Sequence, residues 1–306
     1  MSAGIQASPL AVAPSAAETR YEPRVRTRGR IAGGWRGIFF GATALAIVLL
    51  GMLLWSILQP GWSWLSWHLI TAMPSRIPAN AGMNSAIWGS IWIVSISAVV
   101  AFVIGLGCAI YLEEYAPRNR WTGFIQTNIS NLAGVPSIVY GLLGLVVFVD
   151  WLHMGRSVLA GALTMGLLIL PVVVISSREA IRAVPLSLRQ ASYGLGATQW
   201  QTIRAHVLPS AFPGILTGVI LSMSRAIGET APLIVVGGAS QVLFRPASLF
   251  DPFMVMPLQI YNWTSRPQKE FEHLAAAAII VLMIVLLLFN AVAILLRQHF
   301  SKKTRW

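Results

Sequence analysis

The stretch SRAIGETAPL, Ser224 to Leu233, sits within an apolar segment that runs from Gly214 to Gly237. Arg225 and Glu229 stand where a lipid-spanning helix normally carries no charge. The rest of the chain has the composition of such helices: of 306 residues, 56% are hydrophobic and 10% charged, with a mean hydropathy of +0.70. A soluble domain carries about a quarter charged residues. The chain therefore reads as a polytopic membrane protein.

About 20 apolar residues cross a hydrocarbon core of roughly 30 Å. Six segments qualify: Gly37 to Leu58, Ile87 to Leu112, Gly134 to Trp151, Val158 to Ser176, Gly214 to Gly237 and Leu274 to Leu296. They predict an all-α fold of six transmembrane helices forming one membrane domain over residues 37–297. The first segment is longer than the 7–15 residues or so of a signal-peptide core, and LQPGWSW follows it where a cleavage site would need small residues, so it is expected to remain attached. Residues 1–36, rich in Ala, Ser and Pro and ending in RVRTRGR, are expected to be a disordered basic cytoplasmic tail. Residues 298–306 read as a basic cytoplasmic C-terminus, and Trp62, Trp64 and Trp67 as anchors at the outer membrane interface.

With the N-terminus in the cytoplasm, the inside segments hold 16 Lys and Arg and the outside segments 5. That asymmetry predicts that both termini are cytoplasmic. It also accounts for the net charge of +12 without invoking nucleic acid. Cys108 is the single cysteine, so the chain cannot build a disulfide framework. The five histidines lack metal-ligand spacing, neither GxSxG nor HExxH occurs, and Glu113-Glu114 reads as a solvated helix end. None of the lysines, Lys269, Lys302 and Lys303, follows a glycine, so there is no phosphate-cradling P-loop. The expectation is a transport subunit rather than an enzyme, with no cofactor of its own.

The inner loop over 177–212 reads as two short amphipathic helices. Ala191, Leu195, Trp200, Ile203 and Val207 form an apolar stripe, interrupted by Gly194 and Gly196. Glycine within a helical pattern costs about 1 kcal/mol relative to alanine, so a turn or a close approach is expected there. The pattern fits docking into another protein or lying on membrane lipid, and does not choose between them.

Within this loop, RQASYGLGATQWQTIRAHVLP (Arg189 to Pro209) resembles the EAA loop of ABC importer permeases. Ala191, Gly196, Leu208 and Pro209 match that pattern, while Gln190, Ser192 and His206 replace its Glu, Ala and Ile. The resemblance implies a coupling helix seated in a cleft of a separate ATPase, with Gln190, Ala191, Ser192, Gly194, Gly196, Trp200, Leu208 and Pro209 as coupling positions. ATP and Mg would reside on that partner. SRAIGETAPL and NLAGVPSIVYGLLGL (Asn131 to Leu145) resemble the phosphate-specific permeases of this class, and TAPLIVVGGA favours their PstA branch. The resemblance spans roughly Ile87 to Arg297. It implies a type I ABC importer permease fold in a bacterial plasma membrane and half of a translocation pathway for inorganic phosphate. The partners implied are a PstC-like permease subunit, a PstB-like ATPase dimer and a PstS-like phosphate-binding protein. A PstC-like subunit or a sulfate permease is the alternative within the class, and a stand-alone anion channel the alternative outside it.

Counted from Gly214, Arg225 lies about 16 Å along a helix, near the membrane midplane. Arginine there costs roughly 2.5–3.5 kcal/mol and must face protein or water. One reading is a structural ion pair with Glu229, four residues on and on the same helix face. The other is a forked guanidinium offered to a passing oxyanion, with Glu229 either holding the arginine or accepting a hydrogen bond from protonated phosphate. Pro232 cannot donate to the carbonyl of Gly228, so a helix break at Gly228 and Pro232 is expected beside the pathway.

Overall fold

The computed structural model describes residues 25–237 and 242–302. Residues 1–24 of the expected tail and 303–306 of the expected C-terminus lie outside the described residues. Those described are helical with connecting turns and contain no strand. Five helices are long: α1 (Val25–Trp62), α3 (Asn84–Ile110), α6 (Val158–Arg182), α9 (Leu208–Gly228) and α12 (Lys269–Lys302). The shorter ones are α2 (Trp67–Thr71), α4 (Arg120–Leu132), α5 (Ser137–Gly144), α7 (Leu186–Gly194), α8 (Gln199–Thr202), α10 (Ala231–Gly237) and α11 (Met256–Thr264).

Five helical stretches are long and apolar enough to cross a membrane: Gly34–Trp62, Asn84–Tyr115, Val158–Arg182, Gln199–Gly228 and Lys269–Leu295. A sixth becomes available if α4 and Ser137–Trp151, bent by 100° at their junction, count as one broken span. The bend falls at Gly134–Pro136, the start of the expected third span. Pro136 has extended ψ (135°) and begins α5 without a side-chain cap.

The first expected boundary shifts. Helix α1 starts at Val25, so residues 25–36, expected in the disordered tail, are helical. Arginine is a strong helix former, and extending an existing apolar helix requires no new nucleus. Of the described residues, those up to Leu54 belong to one compact unit and those from Trp55 onward to a second. In the first unit α1 presents apolar side chains such as Phe40 and Ile47 outward, which suits a lipid-facing helix.

In the second unit α6 is central, packed on α3 along one side and on α9 along another. It is apolar around most of its circumference, as a helix enclosed by others must be. Ser157 caps its N-terminus by accepting from Ala160 N at 3.3 Å. Within the membrane layer Ser97 Oγ of α3 lies 2.6 Å from Ile93 O and 2.9 Å from Ala162 O of α6. This hydroxyl is therefore satisfied without water, a condition for a polar group at such depth. At its far end α3 widens into a π turn, Tyr111–Tyr115, where Ala116 N donates to Tyr111 O five residues back.

Candidate functional site

Helix α9 stops at Gly228. Glu229 has extended backbone (φ −80°, ψ 126°), and the chain re-enters a helix at Ala231. Pro232 lies in the first turn of α10, where its missing N–H costs nothing. Gly228 is exposed and Pro232 buried. Arg225 occupies the last turn of α9 with an exposed side chain, and Glu229 is half-buried beyond the helix end.

The break alters the expected geometry. Glu229 does not continue the face of Arg225, because the four-residue spacing has meaning only while the helix persists. Among the described residues the Arg225 guanidinium has no ion-pair partner. The intrahelical Arg225–Glu229 pair is thus absent, and the arginine faces outward from the chain. Its neighbour Ser224 holds α9 against α12: Oγ lies 2.9 Å from Ile220 O and 2.5 Å from Asn290 Oδ1. Asn290 has no sequence signal beyond being a lone amide in an apolar run.

The motif that holds this break and the earlier motif of the third span meet in space. A Cβ built on Gly141 would lie 2.7 Å from Pro232 Cα, so α5 and α10 approach as closely as they do only because residue 141 has no side chain. SRAIGETAPL and NLAGVPSIVYGLLGL therefore build one neighbourhood from segments about ninety residues apart in sequence.

At the opposite end, the loop contains one free-standing helix, not two. Helix α7 carries Gln190, Ala191, Ser192 and Gly194, whereas α8, with Trp200, runs through a π turn at Ile203–Val207 into α9. Pro209 explains the π turn: with no N–H to give and a ring that crowds the previous turn, it shifts Leu208 N to Ile203 O, five residues back. The expected stripe splits accordingly. Ile203 and Val207 are fully buried in the core, while Leu195 is 89% and Trp200 52% exposed. Leu208 is half-buried and Pro209 exposed.

Helix α7 ends in a Schellman turn. Gly196 N donates to Tyr193 O at 2.9 Å, Ala197 N to Ser192 O at 3.2 Å, and Gly196 has φ +83°. Thr198 and Gln201 then form a capping box that starts α8. Buried Ser192 bonds Thr202 at 2.8 Å between hydroxyls and ties the two arms together. The result is a tied hairpin whose exposed residues include Gln190, Ala191, Tyr193, Leu195, Gly196 and Trp200.

Glu113 and Glu114, expected to be a solvated helix end, instead pair with arginines, Glu113 with those of α6 and Glu114 with Arg189 of the hairpin. Arg178 and Arg182 pair with Glu113 at 3.5 and 3.3 Å. Arg189 pairs with Glu114 at 2.9 Å, with side chains only 11% and 7% exposed. The π turn places both carboxylates toward the arginines of α6 and α7. The one sequence signal was arithmetic: two acids facing a loop with several arginines.

The comparisons with known proteins agree with this geometry. The family described as "Binding-protein-dependent transport system inner membrane component" matches residues 101–306. "Probable ABC transporter permease protein YqgI" of Bacillus subtilis is 34% identical, covering 76% of this chain and 82% of that protein. "Phosphate transport system permease protein PstA" of Yersinia pestis is 33% identical over 85% of this chain and 88% of its own length. "Phosphate transport system permease protein PstA 1" of Mycobacterium tuberculosis strain H37Rv is 36% identical, covering 75% of each chain. Among solved structures, a chain of a bacterial alginate ABC transporter in complex with its pentasaccharide-bound periplasmic protein is similar with TM-score 0.65 and 16% identity, covering 93% of this chain and 99% of that one. A chain of the inward-facing MetNI methionine ABC transporter follows with TM-score 0.59 and 16% identity, over 70% and 94%. At that identity the structural likeness concerns the fold.

Proposed function

We propose, for a chain that belongs to the family of binding-protein-dependent transport system inner membrane components and has the fold of type I ABC importer permeases, that its cargo is inorganic phosphate. The family makes it a non-enzymatic, multi-pass transport subunit of the inner membrane that works with a partner ATPase and a substrate-binding protein. The finer assignment is ours: a PstC-like permease subunit supplies the other half of the pathway, a PstB-like ATPase dimer supplies ATP and Mg, and a PstS-like protein delivers phosphate. Both termini and the hairpin over Leu186–Val207 face the cytoplasm, where most of the arginines lie.

The observation that carries the reading is Arg225. An exposed, unpaired guanidinium in an apolar span, close to two residues of unwound chain, is costly unless its face is shared with water or a partner subunit. Its fork matches two oxygens of a tetrahedral oxyanion, and a single fixed cation lowers the barrier without making a deep trap. Glu229, beyond the helix end, accepts a hydrogen bond from the protonated oxygen of phosphate, a proton that sulfate lacks. The test is uptake in cells or vesicles carrying the whole complex. Arg225→Gln is expected to abolish phosphate uptake with assembly retained, and Glu229→Gln to narrow the preference for phosphate over sulfate. Normal uptake by Arg225→Gln removes the arginine from the path. Phosphate flux through the chain without an ATPase would favour a channel.

The exposed hairpin tip supports docking to the ATPase. Leu195, Trp200 and Tyr193 project at its end, backed by the Schellman turn and the capping box. A lipid-surface helix needs one continuous apolar face, and the burial of Ile203 and Val207 removes two residues from the one expected. Gln190, in place of the usual glutamate, leaves shape and apolar contact as the basis of docking.

A further inference from the structure

Helix α7 carries an arginine immediately before Gln190, and that arginine is the most heavily bonded cation among the described residues. Arg189 Nη2 donates to Glu114 Oε1 at 2.9 Å and to Ile181 O at 2.9 Å, Nη1 donates to Val184 O at 2.6 Å, and Nε lies 3.3 Å from the same Glu114 oxygen. Ile181 lies in the last turn of α6 and Val184 in the turn just beyond it; the Ile181 carbonyl also accepts from Val184 N at 3.2 Å, and a cation is the favourable charge at a helix C-terminus. The backbone carbonyl of Glu114 is taken as well, by Gln199 Nε2 at 2.5 Å from the start of α8. The ends of α3 and α6, helix α7 and the arm leading into α9 therefore converge on two residues, Glu114 and Arg189.

We propose that Arg189 and Glu114 are positioning residues that make the hairpin a rigid lever, passing movement of the bound ATPase to α3 and α6. The inference rests on the reading of Leu186–Val207 as the ATPase-coupling loop. A loop tethered only by Pro185 and the Ser192–Thr202 bond would bend under load. A forked arginine bonded to three oxygens on two other elements transmits displacement, because its geometry allows few alternatives. Nothing in the pair touches cargo, and its failure should separate two activities that the intact complex holds together.

The test uses the complete complex in phospholipid vesicles, measuring phosphate imported and ATP hydrolysed in the same sample. Glu114→Gln and Arg189→Gln are each expected to lower the ratio of phosphate moved to ATP hydrolysed by about tenfold, within the usual span of a coupling between sites. ATP hydrolysis and assembly should be retained. Because the two side chains act as one unit, adding Glu114→Gln to Arg189→Gln should cost nothing further. A wild-type ratio in both single variants, or losses that multiply in the double variant, overturns the proposal. Should Arg189→Gln fail to assemble, Arg189→Lys keeps the charge and loses the fork; it is expected to assemble with a ratio lowered several-fold, and a wild-type ratio in it overturns the proposal equally. A photo-crosslinker at Leu195 separates the premises. Capture of the ATPase with an unchanged ratio defeats the lever alone, whereas capture of lipid alone defeats the coupling-loop reading beneath it.

Discussion

Two arginines in this molecule stand in opposite circumstances. Arg189 has every oxygen it can use within reach, a near-buried carboxylate opposite, and a place at the ends of several helices. Arg225 lies in an apolar span with its guanidinium unpaired and exposed. Burial asks for pairing, so an arginine that is satisfied inside the chain holds structure together. An arginine left unsatisfied in a span weakens the fold of the isolated chain, and the role proposed above gives it a use outside the chain. The contrast divides the molecule into an end that is fixed and an end that is kept open.

The strongest way to break that contrast is Arg225→Gln. An unpaired arginine in an apolar span costs up to roughly 2.5–3.5 kcal/mol on insertion scales, so the variant should be no less stable than the wild type while losing phosphate uptake. A thermal midpoint that falls with uptake unchanged would reverse the roles assigned to the two arginines.

A glycine at each end sharpens the comparison. Gly141→Ala sets a methyl 2.7 Å from Pro232 Cα, where backbone and not a flexible side chain must yield. Overpacking of this kind costs about 1–3 kcal/mol, and the helix break beside Arg225 should shift with it. Gly196→Ala meets open space but keeps φ at +83°, a strain of about 1–2 kcal/mol. Gly194→Ala, helical and equally uncrowded, should cost nothing or add stability. Equal losses at 194 and 196 in thermal unfolding would contradict the Schellman turn.

What was legible in the sequence follows the same division. Spans could be counted because apolar length is a local property, and Pro232 announced the break because a missing N–H is local too. The face of Glu229 was misread, since helical spacing was carried past Gly228, where α9 ends. The second loop helix was misread because α8 feeds α9 without a stop, which buries Ile203 and Val207. Least legible was the acidic pair: Glu113 and Glu114 meet arginines 69 and 75 residues away, and no periodicity connects them. Only the fold brings these charges together, and only the fold shows that Arg225 lacks such a partner.

The smallest effect tests the lever most finely. Arg182 and Arg189 both bond the acidic pair, but Arg182 is 59% exposed against 11%, and Glu113 keeps Arg178 at 3.5 Å when Arg182 is removed. Exposed pairs contribute about 0–1 kcal/mol, so Arg182→Gln should barely move the thermal midpoint and leave the ratio of phosphate moved to ATP hydrolysed as it is. Arg189→Gln removes the same charge from the same cluster and is expected to lower that ratio. If the two variants behaved alike, net charge at this end of the molecule would set the coupling, and the specific reach of Arg189 to Ile181, Val184 and Glu114 would not. A difference between them, measured in one preparation, assigns the coupling to the bonded fork.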